Sequence, residues 1–210
     1  MTGADLIVPQ RAAGVVLFAH GSGSSRHSPR NKYVAAQLRE ARLATLLIDL
    51  LTPKEDEVVR TRFDIALLTQ RLGNAARSLA REPQTKGLPV GLFGASTGAA
   101  AALEVAAAMP EAIRAVVSRG GRPDLASHAA LRKVKAPTLL IVGGDDTGVI
   151  ELNEQAYAKL DCAKQLAIVP GATHLFEEPG TLEEVARLAA EWFTRHLAPA
   201  VAPAQKGAKR

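Results

Sequence analysis

One cysteine, Cys162, occurs in 210 residues, so no disulfide can close within the chain. That agrees with a reducing compartment such as the cytosol. Aromatic residues are nearly as scarce, at 4%, so Leu, Val, Ile and Ala must fill the core. Long apolar runs are missing as well. The longest, GVVLFA and TLLIVGG, are far too short to span a bilayer. The opening MTGADLIVPQR has no basic start followed by a long apolar stretch, so no signal peptide is expected. The formal charge of +5 includes Lys206, Lys209 and Arg210 near the C-terminus, which leaves the body close to balanced. No basic stripe interleaved with aromatics stands out, and nucleic acid is not an expected partner.

What is present is enough for one well-packed domain: 47% hydrophobic and 22% charged residues. Apolar, β-rich runs lie at 5–8, 15–19, 44–50, 90–93, 115–118, 138–142 and 165–169. Most are continuous rather than alternating, the pattern of strands buried on both faces. Helical patterns fill the gaps at 31–42, from about Thr61 to Ala80, at 97–108, at 149–159 and from Thr181 onward. Thr181 and Glu184 have the spacing of a capping box. This alternation predicts an α/β fold: a mostly parallel sheet of about seven strands with helices on both faces. The Ala/Pro-rich, basic end from 198 to 210 is expected to be a disordered tail. The domain is expected to span 1–197.

Within this pattern, VGLFGASTGAAAALEVAAA sets Ser96 between Gly94 and Gly98. A strand that runs straight into a helix must turn sharply, and a residue on that turn is thrust out at the sheet edge. Glycines two positions away on either side relieve the crowding, which is the mechanics of a G-x-S-x-G nucleophile elbow. The plainer alternative is a Gly-Ser loop in which Ser96 caps the helix.

A serine hydroxyl needs a base, and the base needs an orienting acid. Asp145 and Asp146 follow the strand at 138–142, and His174 follows the last strand. All would sit at the same sheet edge as Ser96. His27, His128 and His196 fall in a loop, a short helix and a helix end, and His20 ends a strand where it packs locally. His174 is therefore the candidate base, with one of the two aspartates as acid and the other free to cap the following helix. The Thr97 N–H, at a helix N-terminus, and that of Ser22 or Gly23 in LFAHGSGSSRHSPRN would hold an oxyanion. A Gly-rich loop before a helix could instead cradle phosphate, but this one has neither a Walker ending nor G-x-G-x-x-G.

HGSG, GASTG, GGDD and GATHLFEEPG, spread from Val15 to Leu197, resemble the α/β-hydrolase superfamily and within it the small dienelactone hydrolase-like proteins. The resemblance implies Asp146, three positions after Gly143, as the acid. It also implies a cytoplasmic hydrolase of ester-like bonds that needs no metal or cofactor. One departure is plain: dienelactone hydrolase itself uses a cysteine nucleophile, where this chain has Ser96. Cys162 reads as a small packed residue.

Between Arg119 and Ala136 there are 18 residues, too few for the large helical lid of bigger members. An open site for a small soluble ester is expected. Arg119, just past a strand end, could bind a substrate carboxylate together with Arg26 or Arg30. It could instead pair with Asp124 or be solvated. The charged TPKEDEVVR reads as a surface loop without chemistry. Two functions from different classes follow. One is a serine esterase acting on an ester, lactone or thioester; the other is a non-catalytic hydrolase-like binding module. Oligomeric state is not encoded in any visible seam.

Overall fold

The computed structural model describes residues 3–198, so the tail expected at 198–210 lies, apart from Ala198, outside the described residues. Seven strands form one sheet: β1 (Ala4–Ile7), β2 (Gly14–Ala19), β3 (Leu43–Ile48), β4 (Val90–Ala95), β5 (Ile113–Arg119), β6 (Thr138–Gly143) and β7 (Lys164–Val169). Their order is β1-β3-β2-β4-β5-β6-β7. Only the β1–β3 pair is antiparallel. Every residue of β2, β3, β4 and β6 is buried, which is why these strands read as unbroken apolar runs. The two edge strands are only partly covered.

The helices are α1 (Pro29–Glu40), α2 (Pro53–Asp56), α3 (Val59–Arg62), α4 (Ile65–Leu79), α5 (Thr97–Ala108), α6 (His128–Lys133), α7 (Thr147–Lys159) and α8 (Thr181–Leu197). Two cores lie on opposite sides of the sheet. Val34, Ala35 and Leu38 of α1 and Val185, Ala189 and Phe193 of α8 fill one. Leu68, Leu72 and Leu79 of α4, the alanines of α5, and Leu131 and Ala156 fill the other. The Ala-rich α5 is buried almost all round, because it lies directly on the strands. A bulky side chain there would hold it off the sheet.

Three local expectations are corrected. The helix expected from Thr61 begins at Ile65, because the Asp64 carboxylate accepts the Leu67 N–H and starts a new helix after α3. Thr181 and Glu184 form no capping box: Gly180 is the N-cap, at φ 83°, Thr181 Oγ1 donates to the Glu178 carbonyl, and Glu184 pairs with Arg187. The real capping box is in TPKEDEVVR, which forms α2 and α3 rather than a loop. Thr52 Oγ1 accepts the Glu55 N–H at 3.3 Å, and Glu55 accepts the Thr52 N–H at 2.8 Å. Arg71 grips the same carboxylate in a fork and holds Glu55 down to about 2. The connection from β5 to β6 holds only a short 3₁₀ turn, Pro123–Leu125, and α6. Among the described residues, it forms no large lid.

Candidate active site

Ser96 stands at the turn from β4 into α5 with φ 49° and ψ −119°, a backbone conformation that non-glycine residues adopt at a cost. The flanking glycines make the turn possible. A Cβ at Gly94 would press on the Ala99 backbone, and one at Gly98 would strike the carbonyl oxygens of Ala19 and His20. Ser96 is the N-cap residue of α5, but its side chain makes no capping bond. That removes the plainer reading of this serine.

Parallel topology brings the other residues to the same edge. The turns after β6 and β7 are laced together by Gly144 N–H to Val169 O at 2.8 Å and Asp145 N–H to Ala172 O at 3.0 Å. His174 Nδ1 then lies 2.7 Å from Asp146 Oδ2. Asp146 is the N-cap residue of α7, yet its carboxylate is turned to His174 rather than capping. Asp145 is exposed and has only its backbone engaged. Of the two adjacent aspartates, geometry therefore selects Asp146 as the partner of His174. No direct hydrogen bond joins Ser96 to His174. Catalytic bonds of this kind commonly close only around substrate.

Thr97 is buried at the start of α5, and its N–H has no backbone acceptor among the described residues. Gly21 approaches Ser96 so closely that a Cβ there would lie 3.0 Å from the Ser96 Cβ. The exposed Ser22 follows it directly, and the turn is closed by Ser24 N–H to Gly21 O. Thr97 thus follows the serine directly, and Ser22 follows the glycine that abuts it.

Arg119 departs from its expected surroundings. It is 6% exposed, neither solvated nor paired with Asp124, which Arg122 holds instead. Arg26 is drawn away to Asp49 and Asp5, so it does not join Arg119; Arg30 pairs with Glu177. Arg119 Nη2 reaches Asn31 Oδ1 at 3.5 Å, and the guanidinium lies 5.8 Å from the Phe176 ring centre. Burial first, and Arg30 second, pull Arg119 down to about 10.

Sequence reasoning missed three supports. Gly120, at φ 49°, packs where a Cβ would sit 3.0 Å from the His174 carbonyl. Glu178 accepts both the Thr173 N–H and the Thr173 hydroxyl, at 3.1 and 2.6 Å, closing the loop around His174. Asn153 of α7, fully buried, donates to the Gly121 carbonyl at 3.0 Å. Only the glycine pair and the Thr-x₄-Glu spacing left a trace in the chain. Cys162 is half-buried, with its sulfur 3.7 Å from Thr138 Oγ1 and its thiol pushed up by burial, consistent with a packed residue.

The parallel sheet, the strained serine after β4 and the Asp–His pair after β6 and β7 define an α/β-hydrolase. The dienelactone hydrolase family model matches residues 30–198, and the chain belongs to that family. It is similar to the dienelactone hydrolase structure from Anabaena variabilis: 60% identity, TM-score 0.89, covering 92% of this chain and 91% of that one. An α/β serine hydrolase without lid from Xanthomonas campestris shares the fold at 20% identity and TM-score 0.74, covering 95% of this chain and 90% of that one. A Mycobacterium tuberculosis protein with a provisional phosphoribosyl transferase name is 62% identical over 193 residues. The alignment takes in 91% of this chain but only 43% of that relative. No helix among the described residues is long and apolar enough to cross a membrane.

Proposed function

We propose that the protein is a serine hydrolase of small soluble carboxylic esters, lactones or thioesters, working through an acyl-enzyme. Ser96 Oγ attacks the acyl carbonyl while His174 Nε2 takes its proton. Asp146 holds the opposite ring nitrogen and stabilises the imidazolium. The N–H groups of Thr97 and Ser22 receive the oxyanion. His174 returns the proton to the leaving alcohol or thiol, then activates water to release the acid. The single observation that carries this reading is the 2.7 Å His174–Asp146 bond at the edge that presents the strained Ser96. The short β5–β6 connection supports small substrates over a lipid interface. The lone cysteine supports a cytoplasmic setting.

The longer relatives' phosphoribosyl transferase name is not carried over, because the shared portion is the part matched by the hydrolase family. The open Ser96–His174 contact is the one observation favouring a non-catalytic binding module. A fluorophosphonate probe and short p-nitrophenyl esters, applied to wild type and Ser96→Ala, separate the two. Labelling and turnover confined to wild type are expected. A folded wild type that neither labels nor turns over would overturn the hydrolase reading.

A further inference from the structure

Arg119 carries a buried charge that the protein itself does not balance. Side chains alternate along β5, so Arg119 shares the α1/α8 face with Ala115 and Val117. Its Nε is enclosed and has no hydrogen-bond partner. Its one side-chain bond, to Asn31, is long and goes to a neutral amide. Among the described residues no carboxylate lies within ion-pairing distance of it. Even brought down to about 10, it is charged at neutral pH. A buried ion without a counter-charge is strongly unfavourable.

Two more sources of positive charge meet it there. Arg30 is close enough to disfavour the Arg119 charge. The first turn of the twelve-residue α1 supplies Asn31, and the positive end of that helix dipole faces the same point. Ser28 caps the Asn31 N–H.

We propose that Arg119, Arg30 and the N-terminal turn of α1 form a binding site for a small oxyanion, a carboxylate or a phosphate, beneath the loop that carries His174. The planar guanidinium fork matches two oxygens of one such group, which a spherical halide cannot do. Near-complete burial limits the ligand to a single small group rather than a polyanion. The site is mechanically joined to the candidate catalytic residues. The Arg119 carbonyl accepts the Ser96 N–H at 3.3 Å, Gly120 abuts His174, and Phe176, two residues past His174, packs on the guanidinium. Arg30 is bound to Glu177 of the same loop at 2.7 Å. The anion is either the non-reacting end of the substrate or a free ion. Only the choice between these sources rests on the hydrolase reading.

The test begins with thermal melts of the full chain in inorganic phosphate and in succinate, against chloride at equal ionic strength. Wild type is expected to gain a saturable rise in Tm. Arg119→Met, which removes the unbalanced charge, is expected to melt higher than wild type in chloride and to ignore both anions. Arg30→Gln, at a more exposed position, is expected to need at least about tenfold more anion for half-saturation. It also tests the site should Arg119→Met not fold. A wild type that ignores both anions, or an Arg119→Met or Arg30→Gln variant that responds like wild type, overturns the proposal. Kinetics then assign the source. A substrate-borne anion predicts that Arg119→Met raises KM for p-nitrophenyl hemisuccinate by at least about tenfold more than it changes KM for p-nitrophenyl acetate. A free ion predicts that phosphate alters turnover of the acetate in wild type only. If no ester is turned over, the hydrolase reading falls while the melts still decide the anion site.

Discussion

His20 Nε2 accepts the Leu50 N–H at 2.9 Å, while its Nδ1 meets the Gly21 carbonyl at 2.9 Å. The imidazole is therefore neutral, with its proton on Nδ1, and ties the loop beside Ser96 to the end of β3. Burial lowers its pKa below 6.5, against smaller opposing effects of Gly21, Asp49 and Asp56.

A pH dependence follows. The unfolded chain binds a proton at His20 near 6.5 while the folded chain resists it. Stability is thus full above that value and is lost as pH falls through it, down to the lower folded pKa. His20→Asn is expected to be less stable than wild type at neutral pH but to show a flatter loss between about pH 6.5 and 5. His196 is also lowered by burial and adds the same sign in both proteins, so the difference between the two curves isolates His20. Denaturant melts across this range are the check; parallel curves would contradict the assignment.

The two neighbouring aspartates should separate cleanly. Asp146→Asn is expected to cut kcat/KM for a p-nitrophenyl ester by about 10³–10⁴-fold, through loss of the oriented imidazole. Asp145→Asn leaves its backbone bond to Ala172 in place and is expected to keep wild-type turnover. Equal losses in both would remove the basis for choosing Asp146.

Glycines at the elbow and elsewhere should respond in opposite directions. Gly98→Ala forces a methyl group onto the Ala19 and His20 carbonyls, and backbone cannot yield cheaply. A loss of about 1–3 kcal/mol is expected. Gly148, in the first turn of α7, has nothing within 4 Å of a built Cβ and a permissive φ. Gly148→Ala is expected to add up to about 1 kcal/mol by restricting the unfolded chain. Chemical denaturation of both variants tests the contrast.

Loop order around His174 depends on Glu178, whose carboxyl is held below its ordinary range by the Thr173 hydroxyl and nearby N–H groups. Glu178→Ala is expected to lower kcat on the order of tenfold, with the circular dichroism spectrum unchanged. An unaltered kcat would show that the brace does not position His174.

Ser96, His174 and the strand pattern were legible in the chain because continuous apolar runs mark buried parallel strands, and paired glycines mark a sharp strand-to-helix turn. Helix starts at 59–65 and 180–181 were less legible. There a side-chain cap at Asp64 and a left-handed Gly180 competed with equally plausible local patterns. The capping box at Thr52 and Glu55 was hidden among charges that read as solvated surface.

By itself the sequence determined the α/β class, the elbow and the residue types of the site, because these follow from local periodicity and steric demand. Which aspartate meets His174 was implied by the family resemblance and is shown by the 2.7 Å Asp146–His174 contact, whereas that Arg119 is a buried, unbalanced cation beside Asn31 and Phe176 was decided by the tertiary structure alone. Asn31 and Arg119 are 88 residues apart in the chain. Only the parallel crossovers, which bring strand ends and a helix start to one edge, put them in contact and take the guanidinium out of water.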